Sequence, residues 1–370
     1  MSASAVKPRK PTILETTLRD GSYVLNFQFT ASDTALLCGE LERVGFTLIE
    51  IGHGIGLGAS RAGMGTAAET DECYMQAAAD TVKKAKWGMF CIPGIAKLED
   101  VDKAGAHGMK FIRIGTNVTE VEASEPFIAR AKKYGMMVCA NFMKSYATAP
   151  REFASKAKLS QSYGAEVVYI VDSAGGMLTS EMEQYFKAVQ DTCDIQIGFH
   201  GHNNLELAVA NSLRAIELGA AIVDTSLQGF GRSAGNTPTE VFLSVLKRYG
   251  LDLGIDPLLV MDIGEKYILP LVQRHGYDSI DVVTGLAQFH SSYMGVIREY
   301  SSKYRVDPRR LILSVCEQDR LSAPKAMVER TAQKLSQEGG EVYTARFRLD
   351  RYHGAEQREG GNKFPGPSDK

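Results

Sequence analysis

IQIGFHGHNNLELAVANSLRAIELGAAIVDTS, residues 195–226, reads as a complete strand–helix–strand unit. IQIGFH (195–200) and AIVDTS (221–226) are short runs, mostly apolar and continuous rather than alternating, which suits parallel strands buried on both faces. Between them NLELAVANSLRAIELG (204–219) reads as a helix that stops at glycine, the expected C-terminal cap. Parallel strands joined through a helix imply a right-handed crossover.

The same unit recurs toward the N-terminus. ILETTL (13–18), TLIEIG (47–52), WGMFCI (87–92), FIRIGT (111–116), MVCANF (137–142) and VVYIVD (167–172) are further strand candidates. Helix-like segments such as SDTALLCGELERVG (32–45), PFIARAKKYG (126–135) and PREFASKAKLSQSYG (150–164) separate them. Eight such units are the number that closes a (β/α)8 TIM barrel. An open doubly wound α/β sheet would want a glycine-rich fingerprint after the first strand, and TTLRDGSY (16–23) has a single glycine. The predicted organisation is an N-terminal arm over 1–11, the barrel over 12–250, and a helical C-terminal extension over 251–345. The polar, Gly- and Pro-rich residues 346–370 read as a disordered tail.

Composition narrows the function. A net charge of −2 offers no electrostatic footprint for nucleic acid or an anionic membrane. No apolar run approaches the roughly 20 residues of a membrane span. The basic N-terminus lacks the apolar stretch of a secretory signal, and the six cysteines contain no CxxC pair, so a cytoplasmic protein with reduced thiols is expected.

In such a barrel the chemistry gathers where the strands end. FHGHNN (199–204) puts His200 and His202 on one side of an extended segment, so both imidazoles can reach one ion. Asp20, from the neighbouring first strand, is the natural anionic third ligand. Two imidazoles, one carboxylate and open positions describe a divalent metal site that keeps room for substrate oxygens. Arg19 would either polarise a substrate carbonyl and hold the resulting enolate, or pair with Glu50 or Asp172. Ser173 would bind a carboxylate or cap a turn. His53, in a glycine-rich loop, would serve the site or only the loop. Asn236 or Thr237 would cap a helix, or the backbone beside them would bind an anion.

Together TTLRDG, HGHNN and GFGRSAGNTPTE (229–240) resemble the metal-dependent barrels called DRE-TIM metallolyases. IEIGHGIGLGASRAGMG (49–65), VDSAGG (171–176) and FHSSYMGVIREYSSKYRVDPRRLIL (289–313) are most similar to the 4-hydroxy-2-oxovalerate aldolase branch. The resemblance implies aldol formation or cleavage of a 4-hydroxy-2-oxo acid from a pyruvate-like 2-oxo acid and an aldehyde. It implies Asp20, His200 and His202 as metal ligands, with Mn2+ first and Mg2+ or Co2+ as alternatives. Arg19 would steady the enolate oxygen, Ser173 would hold the carboxylate, and Asn236 would stand beside the metal.

The chain departs from that branch at three places. Tyr23 stands where the aldolases carry a catalytic histidine, and His290 stands where they carry a tyrosine. Either the acid–base pair is kept with its positions exchanged, or catalysis at the 4-hydroxyl has changed. In an exchange His290 is the proton acceptor and Tyr23 its partner or the proton donor, because imidazole is the better base near neutral pH. The segment LSVCEQDRLSAPKAMVERTAQKL (313–335) also departs, which argues against the acylating aldehyde dehydrogenase partner usual in the branch; a homo-oligomer is the open possibility. A Claisen-type acyl-CoA enzyme and a non-catalytic metal-binding subunit are the competing functions.

Overall fold

A computed structural model describes residues 10–272 and 279–338. Its eight parallel strands form a closed barrel in chain order. They are β1 (Thr12–Glu15), β2 (Leu48–Ile51), β3 (Lys86–Cys91), β4 (Phe111–Asn117), β5 (Met137–Met143), β6 (Val167–Asp172), β7 (Gln196–Gly201) and β8 (Ile222–Thr225). β1 pairs with both β2 and β8, with Leu14 opposite Leu48 and Asp224, which closes the sheet. Every predicted run overlaps a strand. The first is shorter than ILETTL, because Thr17–Asp20 turns into one helical turn and lifts Arg19 and Asp20 over the barrel mouth.

The helices α1 (Ala31–Arg43), α2 (Asp71–Thr81), α3 (Leu98–Ala106), α4 (Glu125–Lys133), α5 (Pro150–Tyr163), α6 (Thr179–Gln190), α7 (Ala208–Glu217) and α8 (Thr239–Tyr249) follow the strands one by one. Local chemistry sets their ends. Thr30 and Asp33 form a reciprocal capping box at the start of α1, while Pro150 opens α5 and Gly164 closes it at φ 110°. α7 begins later than the predicted segment, since Asn203 accepts the Ala208 N–H through its side chain and holds residues 203–207 as a turn.

The barrel interior is layered. Leu14, Leu48, Phe111, Cys139, Val167 and Tyr169 pack together as one buried apolar cluster. Arg113 lies in the interior with zero exposure, its guanidinium 4.5 Å from the centre of the Tyr169 ring. A larger apolar core lies between strands and helices and includes Val260, Ile263 and Ile268 from beyond α8. Ser279–Ala287, Met294–Tyr304, Pro308–Cys316 and Lys325–Gln337 are the last four helices, α9 to α12, and they share a separate core built on Phe289, Ile297, Leu311 and Val328. That extension is tied to the rim by polar contacts: Lys144 Nζ donates to Tyr293 Oη at 2.8 Å and to the Leu321 carbonyl at 2.9 Å, and Asn204 Nδ2 donates to Thr284 Oγ1 at 2.9 Å. Among the described residues no helix is long and apolar enough to cross a membrane. The predicted tail and most of the N-terminal arm lie outside the described residues.

Candidate active site

The site is built on a buried lattice of charge. Arg113 donates through Nη1 to Glu50 Oε2 at 2.7 Å and through Nη2 to Asp224 Oδ2. Arg19 Nε donates to the same Glu50 oxygen at 2.7 Å, and Arg19 Nη1 donates to Asp20 Oδ1 at 2.5 Å. Both guanidiniums also lie over the Phe90 ring, at 5.0 and 5.7 Å. Arg19 therefore has the Glu50 partner that its sequence position allowed. Asp172 is not its partner, because its two carboxyl oxygens accept the backbone N–H groups of Gly176 and Met177.

Above this lattice, one oxygen of Asp20 and one nitrogen each of His200 and His202 lie within 4.8 Å of one another, all buried. The hydrogen bonds fix how the rings present themselves. His200 Nδ1 lies 2.8 Å from Asp224 Oδ2, and His202 Nδ1 lies 3.2 Å from the Gly235 carbonyl. Both partners accept, so each Nδ1 carries its proton and each Nε2 presents a lone pair. The two Nε2 atoms face each other at 3.3 Å. Two lone pairs at that distance repel unless a cation lies between or beside them. Burial and the Arg232 cation hold the His202 pKa well below the usual imidazole range, so that lone pair persists. Burial works against ionising Asp20, but the charge of Arg19, with that of Arg232, outweighs it and holds its carboxyl well below the usual carboxylate range. An anion and two neutral imidazoles with outer hydrogen-bond partners form a donor set that fits a divalent ion.

Asn236 completes this half of the site. Its Nδ2 donates to Asp20 Oδ2 at 2.6 Å, and neither it nor Thr237 makes a side-chain cap for α8. The pair meets over Gly231, where a Cβ would come within 2.4 Å of Asn236 Nδ2, so only glycine fits.

Arg19, Asp20, His200 and His202 line one small pocket together with Ser173, Tyr23 and His290. Ser173 Oγ accepts the Lys144 N–H at 2.9 Å and caps no helix. Tyr23 lies in the turn Gly21–Tyr23, edge-on to Phe27 at 5.3 Å between ring centres. His290 enters from the extension, and its Nδ1 lies 2.8 Å from Ser292 Oγ and 3.2 Å from Ser292 N. Burial, with the Arg232 and Lys144 cations, pushes its pKa well below the usual imidazole range.

His53 is placed elsewhere. Its ring stacks on Phe27 at 3.9 Å, Nδ1 accepts the Ile55 N–H at 3.1 Å, and Nε2 donates to the Gly65 carbonyl at 3.2 Å. It does not line the pocket.

Asp224 and Arg232 complete the charged groups around the site. Asp224 follows Val223, which pairs with Phe199, and this register sets it beside His200. Arg232 is a charged side chain inside the glycine-rich turn GFGRSAGN, and it is buried against the site. Its Nη2 lies 2.7 Å from His202 Nε2 and 3.0 Å from the Ser173 carbonyl, and its Nη1 donates to Ser291 Oγ at 2.7 Å.

Comparison with known proteins agrees with this geometry. The HMGL-like family model matches residues 10–266. The chain is 39% identical over 308 residues, 83% of its length and 92% of the relative's, to a protein of Desulfitobacterium hafniense named 4-hydroxy-2-oxovalerate aldolase. It is 36% identical over 329 residues, 89% of its length and 97% of the relative's, to a protein of the same name from Moorella thermoacetica. Among solved structures, the carboxyl transferase domain of Rhizobium etli pyruvate carboxylase superposes with a TM-score of 0.73 at 16% identity, covering 90% of this chain and 62% of that one. The N-terminal domain of a putative aldolase from Bacteroides vulgatus gives 0.64 at 23% identity, covering 75% and 93%. At those identities the likeness shows the fold alone. With the match spanning the barrel and the site residues in place, this chain belongs to the HMGL-like family.

Proposed function

We propose that this protein is a divalent-metal-dependent aldolase, a carbon–carbon lyase that forms or cleaves a 4-hydroxy-2-oxo acid. One observation carries the reading: two imidazole lone pairs and a carboxylate converge in a buried pocket beside the guanidinium of Arg19. Asp20, His200 and His202 would hold the ion, Mn2+ before Mg2+ or Co2+ for a mixed nitrogen and oxygen donor set. A divalent ion there supplies Lewis-acid polarisation of a 2-oxo acid's oxygens.

The remaining work falls to the chain's own groups. Arg19, anchored by Glu50, offers N–H groups to the oxygen on which negative charge develops. Ser173 accepts from Lys144 N and keeps its own proton for the substrate carboxylate. Asn236 holds Asp20 in position. In cleavage, His290 takes the proton of the 4-hydroxyl, the C3–C4 bond breaks, and its electron pair passes to C3 and the C2 oxygen beside Arg19. The aldehyde leaves, and C3 then takes a proton to give the 2-oxo acid. Burial holds the ring neutral, and for Nε2 to take that proton Nδ1 must carry its own and donate it to Ser292 Oγ, 2.8 Å away. Tyr23, on the same pocket, is the partner or donor. His53 orders the loop from Gly52 to Gly65 rather than meeting substrate. Six free cysteines, four of them buried, support a cytoplasmic setting.

The competing functions are not favoured, because the relatives carry an aldolase name over most of their length and the ligand set is intact. The test is pyruvate release from 4-hydroxy-2-oxo acids of several chain lengths. Release should vanish with chelator and return with Mn2+. No release at any length, with condensation of an acyl-CoA instead, would overturn the reading.

A further inference from the structure

The site's charges do not close on the substrate named so far. Around the reacting centre stand three guanidiniums, those of Arg19, Arg113 and Arg232, and three carboxylates, those of Asp20, Glu50 and Asp224. Asp172 and Lys144, one step further out, carry opposite charges and add nothing to the sum, though they do not pair with each other. The protein groups therefore balance, and a divalent ion leaves two positive charges. Before C–C cleavage a monocarboxylic 2-oxo acid cancels only one; the second is matched only once the C2 oxygen becomes an enolate.

The same surplus can be traced to one side chain. Arg19 and Arg113 each touch two carboxylates. Arg232, only 5% exposed, touches none among the described residues; its N–H groups end on a hydroxyl, a carbonyl and the imidazole of His202. A buried guanidinium with no carboxylate in direct contact, and only the field of Asp20 nearby, is costly. The contact with His202 uses the lone pair that faces the metal-ligand cluster. When that lone pair serves an ion, this N–H of Arg232 needs another acceptor. Arg232 reaches from the turn after β8 to the Ser173 carbonyl and to Oγ of Ser291, the residue after His290, so its guanidinium borders the His290 side of the pocket as well as Ser173.

We infer that Arg232 is a specificity-determining residue that binds a second carboxylate, carried by the aldehyde half, so that the 4-hydroxy-2-oxo acid is a dicarboxylate and the aldehyde an oxo acid. This rests on the aldolase reading above. It makes Arg232 the receptor for the far carboxylate, while Arg19 and Ser173 serve the 2-oxo acid end.

The experiment compares cleavage of 4-hydroxy-2-oxo acids ending in a methyl group with those ending in a carboxylate, in the metal-loaded wild type and in Arg232→Met. The wild type should favour the carboxylate-ended substrates by about 100-fold in kcat/KM, the worth of a charge-assisted guanidinium–carboxylate contact. In Arg232→Met that ratio should collapse toward one. A wild-type preference for the methyl-ended substrate, or an equal loss on both in the variant, overturns the inference and leaves the aldolase reading standing. Calorimetric binding of 2-oxoglutarate against 2-oxobutyrate gives a readout separate from turnover. Tighter binding of the diacid by the wild type, lost in Arg232→Met, supports the role of Arg232 even if no cleavage is found. Equal binding of the two overturns it. Failure of cleavage on every substrate sinks the aldolase reading instead.

Discussion

The two sides of the pocket are held by different means. On the side of β1, β7 and β8 every candidate ligand is braced from the barrel. His200 is held by Asp224, His202 by Gly235, and Asp20 by both Arg19 and Asn236. Beneath them Arg113, fully buried, links Glu50 to Asp224. On the other side His290 is anchored within its own turn by Ser292, on a segment with its own apolar core. The barrel side is preorganised, because moving one group leaves another buried charge without its partner, at a cost of about 3–5 kcal/mol. The extension is not wholly apart from it, since Ser291, beside His290, accepts from Arg232. The candidate metal ligands stand at strand ends of the barrel, and His290 comes from the extension.

The sharpest way to break this contrast is Asp20→Asn. The variant keeps Arg19 paired with Glu50, so the fold should survive. Loss of the anionic ligand should remove bound metal on dialysis and lower turnover by about a thousandfold or more. Metal content and turnover should fall together. On the other side, His290→Ala should lower turnover by about a hundredfold to a thousandfold while metal content stays at the wild-type level. Near-normal cleavage in this variant would remove His290 from proton transfer. Loss of metal in it would show that the two sides are not separable.

The barrel and its metal side could be read from sequence because both depend on short-range patterns. Continuous apolar runs mark buried parallel strands, and His200 and His202 share a side because strand side chains alternate. What escaped depends on contacts between distant segments. Arg232 lies 212 positions after Asp20 in the chain, yet its charge helps hold the Asp20 carboxylate ionised. Nothing in GFGRSAGN states that its arginine turns inward. His53 illustrates the converse. A histidine among glycines looks like a site residue, but tertiary packing stacks it on Phe27 and uses both ring nitrogens on backbone groups.

That loop gives the smallest and most specific test, because its hydrogen bonds require a neutral ring. Ile55 N–H occupies Nδ1, so a second proton has no acceptor there, and burial pushes the pKa from 6.5 down to about 4. Between those values the unfolded chain binds a proton that the native loop refuses. Stability from this residue is therefore complete above about pH 6.5 and declines as the pH falls toward 4, by up to about 3 kcal/mol. Buried Glu15 and Asp172, raised by burial to about 7 and about 6, contribute slopes of the opposite sign over overlapping ranges. The wild-type curve alone cannot isolate His53, but the difference from His53→Gln can. Urea midpoints at pH 7.5 and 5 should show a smaller acid loss in the variant, and the Ile55 amide should lose its protection from exchange. Turnover at neutral pH should change little, since His53 lies outside the pocket lining. A large rise in KM with an unchanged pH slope would instead put His53 within reach of the substrate.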